Sequence, residues 1–261
     1  MSGPGQDRQA ALAELARTPV LLVALDFDGT LSPLVEHADD ARPLPASADA
    51  VRRLAALPRT FTALISGRAL DSLRQVADPA PETLLIGSHG AEAWTGPGAS
   101  PLRLTPEQQE LLARARTVMA AVAHAHPGTR LEDKPAGVVL HTRSVAADVA
   151  GDAVEAARQD LAALDGVYVT DGKQVLEASV IHTDKGEGIR ALRALTGATA
   201  VLFVGDDVTD EHGFAALEPG DVGVKVGPGD TAAAFRVASP EDMPGLLETL
   251  FRLRAQALDG L

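Results

Sequence analysis

Six apolar residues, Val20 through Leu25, run without interruption into Asp26-Phe27-Asp28-Gly29-Thr30. An apolar run of strand length that ends in a glycine turn reads as a parallel strand buried on both faces. In open α/β sheets, ligands gather at the carboxyl ends of such strands. Along an extended chain Asp26 and Asp28 project to the same side while Phe27 points away, so two acids can converge on one small group. Gly29 lets the backbone turn sharply and expose its amides to an anion. The layout is that of a phosphoryl-transfer site.

Three later segments each supply a part that the first lacks. Thr60-Phe61-Thr62-Ala63-Leu64-Ile65 ends in Ser66-Gly67-Arg68. A hydroxyl and free amides at a strand end, beside the start of a helix near Ala69, suit a phosphate oxygen. Thr183-Asp184-Lys185-Gly186 opens a helical pattern that runs on to Leu195. Only four of the 23 basic residues are lysines, so Lys185 marks a place where a compact ammonium is wanted, as at phosphate sites. Finally, Ala200-Val201-Leu202-Phe203-Val204 ends in Gly205-Asp206-Asp207-Val208-Thr209-Asp210-Glu211, with four acids in six residues. Such crowding is costly unless a cation neutralises it, and oxygen-only donors favour magnesium. Taken alone, a solvated acidic helix start is the competing reading of that cluster.

Strand-like and helix-like segments alternate, which implies an α/β fold with a doubly wound parallel sheet. Strands are predicted at 20–26, 60–65, 83–87, 200–204 and 221–226, and helices near 47–57, 69–76, 186–195 and 209–217. A closing helix is predicted from a Ser239 cap and Pro240 through Leu253. Between the third strand and the lysine helix the pattern changes. Thr105-Pro106-Glu107-Gln108 has the form of a capping box for a long helix ending near His126. Strand-like 129–133 and 137–142, a helix near 146–163 and strands near 167–170 and 174–178 follow. Residues 103–181 are read as a smaller α+β cap inserted into a core of 1–102 and 182–261.

The ordered set DxDGT, serine, lysine and GDDxTD resembles the haloacid dehalogenase superfamily of phosphatases. Further segments narrow the likeness: Gly87-Ser88-His89-Gly90-Ala91-Glu92, Glu132-Asp133-Lys134 leading to Leu140-His141-Thr142-Arg143, Glu177, and GDDVTDEHGF through Phe214. These resemble the trehalose-6-phosphate phosphatase family, and the likeness spans about residues 20–226. It implies Asp26 as the nucleophile that forms an aspartyl phosphate and Asp28, expected among acidic neighbours, as the acid and base. It further implies that Lys185, Thr30, Ser66, Gly67 and the amides after Asp28 hold the phosphate. Magnesium would be held by Asp26, the carbonyl of Asp28 and Asp206, with Asp207 or Asp210 joining through water. Glu132, Lys134 and Glu177 would read the sugar hydroxyls, and His89 would orient the loop facing the cap. Without the family, Glu132, Lys134 and Glu177 read as an ordinary cross-strand ion-pair cluster. Two departures, Ala178-Ser179 in place of Arg-Pro and Thr142 in place of tyrosine, bear on the sugar alone.

The implied activity is magnesium-dependent hydrolysis of trehalose 6-phosphate. The alternatives are phosphatases for sucrose phosphate or mannosyl-phosphoglycerate, a phosphohexomutase, and a non-catalytic sugar-phosphate-binding partner of a synthase. A net charge of −13 argues against nucleic acid as a partner, because nothing supplies a phosphate-neutralising stripe. It leaves room for a small-molecule sugar phosphate, whose single charge centre a metal and a lysine can meet. Cysteine is absent, so no disulfide or thiolate metal site exists. The N-terminal segment lacks an apolar h-region and the longest apolar runs are of strand length, so a cytoplasmic protein with no membrane partner is expected, as a monomer or beside a trehalose-phosphate synthase.

Overall fold

The computed structural model describes residues 4–99, 102–172 and 174–260. The chain divides into two compact units, Met1–Ser100 with Asp184–Leu261, and Pro101–Thr183. In chain order the first unit contains α1 (Pro4–Ala16), β1 (Leu21–Leu25), α2 (Pro45–Ala55), β2 (Thr60–Ile65), α3 (Leu70–Ala77), β3 (Leu84–Gly87) and β4 (Glu92–Trp94). The second unit supplies α4 (Pro106–Ala125), β5 (Arg130–Lys134), β6 (Gly137–His141), α5 (Ala147–Leu161), β7 (Tyr168–Gly172) and β8 (Val175–Ser179). The first then resumes with α6 (Lys185–Thr196), β9 (Ala200–Gly205), α7 (Asp210–Ala215), β10 (Val222–Val226), β11 (Phe235–Val237) and α8 (Met243–Asp259).

The sheet of the first unit runs β11-β10-β9-β1-β2-β3-β4 and is parallel except for the β3–β4 pair. Alternate residues of β1 serve opposite faces, as the period of two requires. Leu21, Val23 and Leu25 pack with Leu12 and Leu15 of α1, Leu54 of α2, and Leu247 and Leu250 of α8. Leu22 and Ala24 pack with Ile189 and Leu192 of α6, Phe203 of β9 and Phe214 of α7. Both faces are therefore covered, which is why β1 reads as an unbroken apolar run. Leu25 is in register with Leu64 of β2 and Val204 of β9, so the loops that follow these three strands begin side by side.

Three elements lie outside the sequence expectation. The polar-looking α1 buries Leu12, Leu15 and Ala16, and β4 and β11 are edge strands of three residues each. The closing helix starts later than expected. Pro240–Asp242 form a 3-10 turn for which Ser239 makes no side-chain cap bond, and the helix proper begins at Met243. Asp242 accepts from the Ala238 amide at 2.9 Å and so supplies the turn that serine was expected to provide.

The second unit is an antiparallel sheet in the order β5-β6-β8-β7. Val138, Leu140, Leu176 and Ala178 point to one face and pack with Ala115 and Met119 of α4 and Ala153 and Ala157 of α5. Helix α4 opens with the expected capping box: the Gln108 amide donates to Thr105 Oγ1 at 3.2 Å, and the Thr105 amide donates to Gln108 Oε1 at 2.9 Å. Among the described residues, no helix is long and apolar enough to cross a membrane.

Candidate active site

The first unit gathers its chemistry where β1, β2 and β9 end. Asp26 extends β1 by one residue, donating its amide to Val204 O of β9 at 2.9 Å. Beyond it the chain winds around one acceptor: the amides of Thr30, Leu31 and Ser32 all donate to Phe27 O. Gly29 donates to Ser32 O at 2.8 Å. This corrects one expectation, since the amides of Gly29 and Thr30 close the turn internally and are not left facing an anion. A tight turn after a buried strand must satisfy its own backbone groups. Gly29 has φ +78°, and a Cβ there would lie 2.2 Å from Asp206 Oδ2, so glycine is demanded both by the backbone and by the approach of the acidic loop.

Asp26 is 4% exposed and each of its oxygens is held. Lys185 Nζ donates to Oδ1 at 2.7 Å and Thr30 Oγ1 donates to Oδ2 at 3.2 Å. Lys185 stands at the first position of α6, whose cap Asp184 accepts from the Glu187 amide at 2.8 Å. Its ammonium also donates to Asp210 Oδ1 at 2.7 Å. The Asp26, Asp206 and Asp210 carboxylates each place an oxygen within 4.8 Å of the others. Burial, followed by the charges of Asp210 and Asp206, pushes the Asp26 carboxyl well above the usual carboxylate range despite the opposing pull of Lys185. Burial works against the charge on Lys185 as well, but Asp210 and Asp26 outweigh it and hold the ammonium above its ordinary value.

Two buried carboxylates, Asp26 and Asp210, and the half-buried Asp206 beside one lysine leave an excess of negative charge, and their donors are all hard oxygens. That donor set fits a divalent cation. The other acids stand differently. Asp207 reaches the group through its backbone, its amide donating to Asp210 Oδ2 at 2.8 Å. The Asp28 side chain is not among the expected acidic neighbours. It turns to Arg68, which donates through Nε to Oδ2 at 2.6 Å and through Nη2 to Oδ1 at 2.7 Å. Regular strand geometry ends at Leu25, so Asp28 lies in the turn beyond β1, where the Arg68 fork reaches it.

Ser66 is buried, and its hydroxyl accepts from the Arg68 amide at 3.2 Å. Gly67 lies under the His89 ring, where a Cβ would come within 2.5 Å of ring atoms. His89 follows Ser88, and both adopt left-handed backbone at φ 54° and 48°. Such a pair in non-glycine residues is strained. Glu92 anchors it by accepting from Ser88 Oγ at 2.6 Å and from the Leu70 amide at 3.2 Å. Sequence reasoning missed Arg68 as a partner of Asp28 and missed Lys225 altogether. Lys225 is buried at 4% exposure in β10, donates to Asp207 O at 3.1 Å and pairs with Glu211 at 3.4 Å. The scarcity of lysine that drew attention to Lys185 applied equally to Lys225, which also lies near the end of an apolar run.

In the second unit, Glu132, Lys134, His141 and Glu177 share the sheet face opposite the helices. Lys134 and Glu177, 6% and 7% exposed, form an ion pair across the side-chain-free Gly137 position. Glu132 accepts from or is bridged by His141 Nε2 at 2.8 Å. The two sequence departures have structural work here. Thr142 is buried and donates to Gln174 O at 3.0 Å. Ala178 packs among the helices, while Ser179 Oγ donates to Ile181 O at 2.9 Å.

A doubly wound sheet that presents an aspartate turn, a serine and an acidic loop from strand ends, with a lysine from a helix start, is a haloacid dehalogenase-like fold with an inserted unit. The C-terminal domain of C. albicans trehalose-6-phosphate phosphatase shares that fold, with a TM-score of 0.79, 23% identity, and coverage of 95% of this chain and 97% of that one. The trehalose-phosphatase family profile matches residues 24–241, and the chain belongs to that family. The trehalose-phosphate phosphatase of Mycobacterium avium (strain 104) is 36% identical over 240 residues, covering 84% of this chain and 59% of that protein. A bifunctional trehalose-6-phosphate synthase/phosphatase of Thermoproteus tenax is 32% identical over 241 residues, 91% of this chain and 33% of that protein. The chain thus spans about three fifths of the length of the mycobacterial relative.

Proposed function

We propose that this protein hydrolyses trehalose 6-phosphate to trehalose and phosphate through an aspartyl-phosphate intermediate. The observation that carries the reading is Asp26 itself, buried at the end of the central strand, held on both oxygens by Lys185 and Thr30, and flanked by Asp206 and Asp210. Asp26, Asp206 and Asp210, with the carbonyl of Asp28, would hold a magnesium ion, whose charge offsets repulsion between these acids and the incoming phosphate.

The chain's own groups divide the work into two displacements. An Asp26 oxygen attacks phosphorus as the bond to the sugar oxygen breaks, and that oxygen leaves with the bonding pair and takes a proton from Asp28. Water then attacks the same phosphorus and gives its proton to Asp28, the bond to Asp26 breaks, and inorganic phosphate departs. Lys185 keeps Asp26 aimed in both steps, so most of the catalysis is positioning and electrostatics. Ser66 and the Gly67 backbone would bind phosphate oxygens, with Lys185 and Thr30 beside them. Glu132, Lys134 and Glu177 would read sugar hydroxyls, with His89 contributing from the strained turn. Lys134 and Glu177 are buried, and buried polar groups discriminate strongly, because an analogue lacking a hydroxyl leaves them unpaired. A trehalose-phosphate synthase is the proposed partner, in keeping with the bifunctional relative.

Phosphate release should be measured from trehalose 6-phosphate, sucrose 6-phosphate, glucose 6-phosphate and an aryl phosphate, each with magnesium and with chelator. Release that strongly favours the trehalose ester and is lost with chelator is the expected result. Release from the aryl ester alone would remove the sugar assignment. In the same assay Glu132→Ala should lower kcat/KM for trehalose 6-phosphate by about tenfold to a hundredfold, matching the loss of a hydrogen bond to a charged group. The aryl ester should be nearly unaffected, and equal losses on both substrates would show that Glu132 does not read sugar.

A further inference from the structure

We propose that Arg68 is a positioning residue for Asp28, an inference that rests on the acid–base role just proposed for that carboxylate. The contact is a fork-to-fork pair, with Nε on one Asp28 oxygen at 2.6 Å and Nη2 on the other at 2.7 Å. Its remaining nitrogen, Nη1, donates to Ser72 Oγ of α3 at 3.3 Å. The guanidinium lies 5.6 Å from the centre of the Phe27 ring. The Arg68 backbone is pinned as well, donating to Ser66 Oγ and accepting from the Ser88 amide at 2.7 Å. The Arg68 side chain is only 10% exposed, against 33% for Asp28. A nearly buried cation, fixed by the β2 loop, α3 and Phe27, therefore grips a more exposed carboxylate on the neighbouring turn.

The chemistry explains why such a grip is wanted. Asp28 has to deliver a proton to the departing sugar oxygen and later receive one from water, and for either transfer it uses one oxygen. The other oxygen can remain on the guanidinium throughout, which keeps the carboxyl plane aimed while one arm of the fork releases. A lysine, as a single point charge, cannot fix that plane. Each guanidinium nitrogen of Arg68 donates to Asp28 or Ser72, so its effect is assigned to Asp28, and the leaving-group series and the double variant separate that role from a direct contact with the phosphate.

The test is kcat/KM for trehalose 6-phosphate and for aryl phosphates of graded leaving-group acidity, with wild type, Arg68→Met, Arg68→Lys, Asp28→Asn and the Arg68→Met/Asp28→Asn double variant. Arg68→Met is expected to cost about tenfold to a hundredfold on the sugar ester, less than the roughly hundredfold to ten-thousandfold that a general acid contributes, because the acid itself is retained. The loss should shrink as the leaving phenol becomes more acidic. Arg68→Lys should fall between, and adding Arg68→Met to Asp28→Asn should cost under about threefold, because groups acting as one unit are not additive. A loss equal for all leaving groups, or a full loss in the Asp28→Asn background, overturns the proposal. Circular dichroism and thermal melting establish folding, and if Arg68→Met does not fold, Arg68→Lys carries the same leaving-group comparison. Wild type that releases phosphate from no ester in magnesium would overturn the phosphatase reading instead, and the positioning role with it.

Discussion

Asp26→Asn is expected to reduce phosphate release by about a hundredfold or more, with folding intact. The amide matches the carboxylate in shape but cannot attack phosphorus, and Lys185 retains Asp210 as a partner. Burial and the neighbouring Asp210 and Asp206 charges already disfavour the ionised Asp26 carboxyl, so the neutral side chain should melt no earlier than wild type. Activity and stability would then move apart at one position, as expected where a site holds unfavourable charge for the sake of chemistry. Initial rates with excess trehalose 6-phosphate and magnesium, beside a thermal melt, decide the matter. Retention of more than about a hundredth of the rate would assign the nucleophile elsewhere.

Arg254→Met should have the largest effect on stability and little on turnover. Arg254 is 1% exposed, although it is an arginine in the middle of α8. It faces no carboxylate among its hydrogen-bond partners. Nη1 donates to Ala16 O at 2.9 Å and also to Thr18 O, Nη2 donates to Arg59 O at 2.8 Å, and Nε donates to Thr60 Oγ1 at 3.1 Å. The guanidinium thus ties the end of α1 and the entries to β1 and β2 onto α8. Methionine would fill much of the space but take the donors from the buried Ala16 carbonyl, the half-buried Thr18 carbonyl and Thr60 Oγ1, while Arg59 O keeps the Leu21 amide, at a cost of about 3–5 kcal/mol. For a protein of this size the melting midpoint should fall by roughly 6–20 °C. These contacts lie at the amino ends of the strands, opposite the Asp26 end, so kcat/KM below the transition should stay near wild type. An unchanged midpoint would mean that water reaches the carbonyls.

The central strands were legible because burial on both faces leaves an apolar signature, as in Leu21–Leu25 and Ala200–Gly205. The capping box of α4 was legible because its bonds join residues three apart. Edge strands of three residues, such as Glu92–Trp94, carry too few side chains to show a period. Helix α1 hid because only a narrow stripe around Leu12 and Leu15 is buried. In the site, the sequence located Asp26, Lys185 and the acidic loop, since each ends or begins an element. It could not show that Asp28 turns to Arg68, that Lys225 props the Asp207 carbonyl, or that Arg254 is internal. Those facts depend on which loops meet in space, and no local period encodes such meetings.

The strand order carries a consequence for the timing of the protein's synthesis. Strand β1 lies between β2, which is made soon after it, and β9, which is made only after the whole inserted unit has been synthesised. The inserted unit is continuous in sequence and carries its own apolar core, so it can complete itself while the half-built first sheet still waits for a neighbour. Until β9 docks, Asp26 has neither Asp206 nor Asp210 beside it, and a nascent chain holds the proposed nucleophile without the acidic group that would complete its site. Under the proposed mechanism the insertion of that one strand beside the first completes the acidic group, and chains that stop short of it should release no phosphate.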